Sequence, residues 1–224
     1  MTPMHRGPAP WQRPLSPGVS IATAADRVGA LGAVVFDRDT GRPLLLGAGH
    51  VLVEPSGGTK VWQPAPCGEP GCECNVVGQL LRSRCAVVRF RDEWFYIDAA
   101  VASLDDDVEW EAPLSHVTTP VAGMRVRKVG PATGCTEGVV IDACHIDRVL
   151  VGYHELAVPN QIRIRPLPAY PRFAGGGDSG ALVFDTDGGA VGMLWGADGN
   201  GLGVASPIGP VLAELKVSVE RGTA

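Results

Sequence analysis

Short β-rich runs closed by Gly, Pro or Asp turns recur along almost the whole chain, and few segments carry apolar residues at helical spacing. The runs expected as strands are Ala33 to Phe36, Pro43 to Leu46, Val76 to Leu81, Val87 to Phe90, Glu93 to Val101 and Arg125 to Val129. They continue with Gly138 to Ile141, Arg148 to Gly152, Gln161 to Ile164, Ala181 to Phe184, Ala190 to Trp195 and Gly203 to Ala205. One segment departs from this pattern. Ile208 to Lys216 places Pro210 near its start and apolar residues three and four apart, which predicts a helix near the C-terminus. An all-β fold follows.

Length and composition set its scale. A chain of 224 residues with 45% hydrophobic residues and 30 glycines fits a compact, turn-rich β protein of one or two units. Pro113, Pro120 and Gly123 punctuate a polar stretch from Glu111 to Ala122, so a first unit is expected over 21–112 and a second over 121–224. Residues 1–20 hold five prolines without an apolar period and are expected to form an extended arm. The net charge of −5 and scattered basic residues argue against nucleic acid or anionic lipid as partner. No apolar run is long enough to span a membrane, and the start lacks the layout of a secretory signal, so a cytoplasmic protein is expected.

The candidate chemistry centres on Gly177-Asp178-Ser179-Gly180. A serine hydroxyl becomes a nucleophile when a base takes its proton and backbone N–H groups hold the developing oxyanion; glycines on both sides allow the turn this needs. Such a string also serves as an ordinary turn. All five histidines precede Ser179, which excludes the nucleophile-elbow hydrolases, whose histidine follows the serine. His50 is the histidine best suited as base: it stands between Leu44-Leu45-Leu46-Gly47-Ala48-Gly49 and Val51-Leu52-Val53, among apolar and small neighbours. Asp98 lies in the apolar run Ile97 to Ala102, where an ionised carboxylate needs a partner, and a histidine at a strand end is an economical one. Asp105, Asp106 and Asp107 have the look of a solvated loop instead.

In these residues the chain resembles the chymotrypsin/trypsin-like serine peptidases. Gly47-Ala48-Gly49-His50-Val51-Leu52 is similar to the family's histidine box, Ile97 to Val101 to its aspartate box, and Gly177 to Gly180 to its serine box. Arg127 to Val140 is similar to the glycine-punctuated hairpin that opens the second barrel in bacterial members. The resemblance covers nearly all of the chain after about residue 20. It implies two six-stranded antiparallel Greek-key barrels with a short C-terminal helix, and a catalytic triad of His50, Asp98 and Ser179 in the cleft between them. It also implies an oxyanion hole from the N–H groups of Gly177 and Ser179, and acyl transfer from a protein or peptide substrate without any cofactor. Phe173, six residues before the serine, would line the base of the primary pocket, with Ala174 beside it and Leu194, Trp195 and Gly196 on the other wall. Such a pocket is uncharged and suits an apolar or small side chain.

The alternatives are a catalytically idle protease-like module that binds peptides or partners, and a serine esterase. Many members are cut to free an N-terminus that pairs with the aspartate before the serine. Arg27-Val28-Gly29 superficially resembles such a site, yet it lies only 22 residues before His50. The expectation is that an internal cation such as Arg172 neutralises Asp178, leaving the enzyme active without processing or switchable by a regulatory protein partner.

The six cysteines depart from the family, since none flanks His50 or the serine loop. Cys67, Cys72, Cys74 and Cys85 offer four thiolates to a structural zinc, with a disulfide and free thiols as competing states. Cys135 and Cys144 are candidates to face each other across a hairpin.

Overall fold

A computed structural model describes residues 12–24, 26–64, 76–111, 114–151 and 154–221, the side chains of residues 150, 151 and 154 excepted. Fourteen strands and two short helices are present among these residues. The first half holds β1 (Ser20–Ala22), β2 (Val28–Ala30), β3 (Ala33–Asp37), β4 (Pro43–Gly47), α1 (Gly49–Leu52), β5 (Lys60–Trp62), β6 (Val76–Phe90) and β7 (Glu93–Ser103). The second holds β8 (Arg125–Gly130), β9 (Gly134–Val151), β10 (His154–Pro166), β11 (Leu182–Phe184), β12 (Ala190–Ala197) and β13 (Gly203–Pro207), then α2 (Ile208–Glu214) and β14 (Val217–Ser218).

The strands form two antiparallel bodies, consistent with the expected double barrel, though the first has eight strands and not six. The first is an eight-stranded sheet in the order β14-β3-β4-β7-β6-β5-β1-β2, in which β2 and β14 are the edges. Its interior collects Ile21, Leu45, Val61, Val77, Ala100 and Ala102 from strands far apart in that order, so the sheet curls around a common core. The second is a closed six-stranded barrel, β10-β13-β12-β11-β8-β9, filled by Val126, Val140, Ile162, Ile164, Val183 and Leu194. A third apolar cluster joins the halves: Leu44, Leu46, Ile97, Ala99 and Val101 pack with Leu182, Met193, Ile208 and Val211.

Alternation explains the unusual hydrophobicity of β7. Ile97, Ala99 and Val101 face the cluster between the halves, while Ala100 and Ala102 face the interior of the first sheet. Both faces are therefore covered, which makes the run nearly continuous in apolar residues. Asp98 shares the inner face with Ala100 and Ala102 and is 4% exposed.

Several expectations are changed. The runs Val76 to Leu81 and Val87 to Phe90 are one long strand, β6, which pairs with β5 through Val76, Gly78 and Gln79 and with β7 from Leu80 to Phe90. Gly138 to Ile141 and Arg148 onward likewise merge in β9. The predicted C-terminal helix is α2, but the chain does not stop with it. Val217 pairs with Asp37 and Ser218 with Phe36, so the last strand returns to the first sheet. Arg82 secures that return, donating from Nε to the Leu215 carbonyl at 2.8 Å and from a terminal nitrogen to Asp37 at 2.7 Å. Leu15 and Val19, from the segment expected as an arm, are buried in the core of the first sheet.

Candidate active site

His50 lies on α1, a single turn directly after β4. Asp98 holds that turn in two ways: Oδ1 accepts the backbone N–H of His50 at 2.9 Å, and Oδ2 accepts Nδ1–H of its imidazole. One carboxylate thus fixes both the backbone and the ring, and with Nδ1 committed as donor the other ring nitrogen is left as an acceptor. Gly49 allows the approach, since a methyl group there would stand 2.5 Å from Oδ1. Two side chains of the β1–β2 region secure the carbonyls of the turn. Thr23 donates to Val51 O at 2.8 Å, and Arg27 to His50 O at 2.9 Å. The Arg27-Val28-Gly29 segment that resembled a cut site therefore runs into a paired strand and supports the histidine turn.

Ser179 comes from the second barrel, in the turn before β11. Its carbonyl accepts from Ala30 N of β2 at 2.8 Å, and Gly29 fills the space between that carbonyl and the Val51 side chain, next to His50. The serine turn and the histidine turn are thus neighbours across the two halves. Gly177 and Gly180 have φ of +102° and +96°, conformations that residues bearing a Cβ rarely adopt. Among the described residues no acceptor answers the N–H groups of Gly177 and Ser179, whereas those of Asp178, Gly180 and Ala181 are all bonded. The Ser179 hydroxyl donates to the Trp195 carbonyl at 3.4 Å and makes no hydrogen bond to His50.

The turn is held from behind by Asp178, which is 1% exposed. Its countercharge is Lys128, not Arg172: the fully buried Lys128 ammonium lies 3.0 Å from Oδ2, while Arg172 is exposed. Asp178 also accepts from the N–H groups of Ala132, Thr133 and Gly175 and from the Thr133 hydroxyl. Lys128 donates further to Thr133 Oγ1 and the Gly134 carbonyl, so neither charge is left without hydrogen bonds. Burial lowers the Lys128 pKa from the ordinary lysine value, and Asp178 opposes that shift. The sequence does carry a signal for Lys128. In β8 exposed and buried residues alternate, and Lys128 is in phase with the inward Val126.

Beside Ser179 is a cavity of about 230 Å³ lined by Ala174, Gly175, Gly176, Asp178, Ser179, Leu194, Trp195, Gly196 and Ala197. Four of the five residues expected to line the pocket are there. Phe173 is not: its ring packs against Gly138 and Gly203 inside the barrel, and it is wholly buried. The wall on this side is made by the small residues that follow it, Ala174, Gly175 and Gly176.

Cys67, Cys72 and Cys74 lie outside the described residues. Cys85, the fourth member of that set, is on β6 with its sulfur 3.3 Å from the Tyr96 hydroxyl. Cys135 and Cys144 do not face each other across a hairpin. Both are on β9 and both are free thiols. Nine residues along one strand separate them by about 30 Å, far beyond disulfide reach. Among the described residues no helix is long and apolar enough to cross a membrane.

No protein-family model matches the sequence, and no curated protein matches it either. Solved structures do match. The chain is similar to a glutamic acid-specific serine protease whose substrate binding uses a histidine triad, with 20% identity and a TM-score of 0.66 over 91% of this chain and 99% of that one. Protease A of Thermobifida fusca gives 17% identity and a TM-score of 0.64, over 92% and 98%. The chymotrypsin of Cellulomonas bogoriensis gives 19% and 0.61, again over 92% and 98%. The fold is that of the chymotrypsin-like serine peptidases.

Proposed function

We propose that the chain is a serine endopeptidase that cleaves peptide bonds through an acyl-enzyme. One arrangement carries this proposal: a histidine oriented by a buried aspartate lies beside a serine turn that presents two unanswered N–H groups next to a cavity. In the proposed reaction the Ser179 hydroxyl turns from the Trp195 carbonyl to the free ring nitrogen of His50. His50 takes its proton as Ser179 attacks the substrate carbonyl. Asp98 keeps the imidazole in the required tautomer and stabilises its cation. The N–H groups of Gly177 and Ser179 receive the oxyanion, where loss of one donor in comparable sites costs about 3 kcal/mol of barrier. His50 then returns the proton to the leaving amine, and water releases the acyl group by the same route reversed.

The cavity supports an uncharged primary pocket. Its lining carries no charged side chain apart from Asp178, whose carboxylate is taken up by Lys128, Thr133 and three backbone N–H groups. A small or apolar substrate side chain suits this lining. The turned-away Ser179 hydroxyl favours a second reading, a protease-like module that binds peptides without cleaving them.

Labelling with a fluorophosphonate separates the two. The endopeptidase is expected to be labelled once per chain, and Ser179→Ala and His50→Ala are expected to lose that labelling. A folded wild-type protein that resists the probe, or labelling that survives in Ser179→Ala, would overturn the proposal. A peptide-library profile run beside Ser179→Ala then distinguishes peptide cleavage from esterase activity on small acyl groups.

A further inference from the structure

Gln161 lies on β10, wholly buried, with its amide fully engaged. Nε2 donates to the Tyr96 carbonyl at 3.0 Å and the Pro159 carbonyl at 2.8 Å. Oε1 accepts from the Trp195 indole N–H at 2.6 Å, and the Ser206 hydroxyl reaches both Oε1 at 3.2 Å and the Tyr96 carbonyl at 2.9 Å. Exchanging the amide's oxygen and nitrogen would set donor against donor at Trp195 and acceptor against carbonyl at Tyr96, so the network permits one orientation.

The partners of this amide belong to different halves of the molecule. Tyr96 is on β7 of the first sheet, two residues before Asp98. Trp195 is on β12 of the second barrel, lines the cavity, and offers its carbonyl to Ser179 Oγ. The Tyr96 ring meets the Trp195 ring edge to face, with centroids 5.4 Å apart. The indole is therefore held through its N–H by Gln161 and through its ring by Tyr96. Without the first restraint the half-buried tryptophan keeps only the Tyr96 ring contact, which does not fix its rotation, and the crevice wall loosens.

We infer that Gln161 is a positioning residue for substrate binding, fixing Trp195 as a rigid wall of the crevice without touching the reacting atoms. The inference rests on the proposed peptidase function and adds a determinant of substrate affinity to it. His50 and Ser179 are secured by other groups, Asp98 and the Lys128–Asp178 pair, so the effect of Gln161 falls on binding and not on the chemical step. Binding to a loosened wall must first order it, which weakens affinity.

The test uses Gln161→Met, which keeps side-chain length without hydrogen bonds, and Trp195→Phe, which removes the indole N–H while leaving Gln161 Oε1 the Ser206 hydroxyl. For Gln161→Met, KM for peptides is expected to rise about tenfold, with kcat and the rate of fluorophosphonate labelling within about twofold of wild type. Trp195→Phe, which leaves the rest of the Gln161 network in place, is expected to raise KM by about threefold. The affinity for fluorescein-labelled denatured casein, measured in the Ser179→Ala background, should fall in the same proportions. A parallel loss of kcat and labelling with KM unchanged, or an unchanged KM and casein affinity in folded variants, overturns the inference. A wild type that binds casein but resists the probe sinks the peptidase proposal instead, and the casein affinities alone then decide the role of Gln161.

Discussion

Two buried aspartates serve the candidate site from opposite halves of the molecule, and they are matched to different partners. Asp98, 4% exposed, holds an imidazole whose side chain is 45% exposed to the crevice. Asp178, 1% exposed, holds an ammonium with no exposure at all. The first pair leaves its imidazole open to the crevice, where the proposed reaction needs it. The second is sealed, surrounded by hydrogen bonds, and suited to hold the serine turn in one shape. The difference teaches that a carboxylate's role here follows from its partner's access to solvent, since both carboxylates are alike in burial.

The comparison predicts that the two pairs fail differently when broken. Asp98→Asn should keep the fold but lower kcat by about 10⁴-fold, because the amide favours the wrong imidazole tautomer. Steady-state kinetics alongside an unchanged melting temperature would check this. A loss under tenfold would mean that Asp98 does not govern the tautomer.

Lys128→Met should act on stability as well as activity, because it strands a buried carboxylate. The expected loss is about 3–5 kcal/mol, read by denaturant unfolding. Adding Asp178→Asn removes the stranded charge and should recover much of the stability without restoring activity. A single variant as stable as the wild type would contradict a sealed pair.

Alkaline titration gives the smallest and most selective effect. Burial lowers the Lys128 pKa, so the folded protein releases this proton before the unfolded chain does. Between those two pKa values the unfolded state binds the extra proton, and stability on this account rises with pH. The neutral amine can still donate hydrogen bonds to Asp178 and its neighbours, which the Met side chain cannot, so what titration removes is the countercharge of Asp178 alone. Activity is therefore expected to decline as pH passes through the folded pKa, below the ordinary lysine value of 10.5, without a matching fall in melting temperature. Activity and melting temperature declining together would assign the effect to general unfolding.

The sequence was most legible where one strand face or one turn carries the information. His50, Asp98 and the Gly177 to Gly180 turn stood out because polar or glycine residues interrupt apolar runs. Lys128 was also accessible in principle through the alternation of β8, but a lysine in a mixed basic run looks like a solvated one. Gln161 gave no such signal. It sits where the pairing of β10 with β9 shifts register between Val158 and Gln161, so strict alternation does not assign its face. Phe173 was misplaced because a count of residues back from the serine does not reveal which side chains fill the core and which border the cavity.

By itself the sequence determined the β class, most strand positions and the three residues around which the chemistry is proposed, because alternation and turn residues act over a few neighbours. Only the tertiary structure decided which cation neutralises Asp178, that the C-terminal strand rejoins the first sheet, and which residues wall the crevice. Those outcomes depend on pairings between segments some 50 to 180 residues apart, such as Lys128 with Asp178 and Phe36 with Ser218, and on which groups lose contact with water when the two halves close on each other.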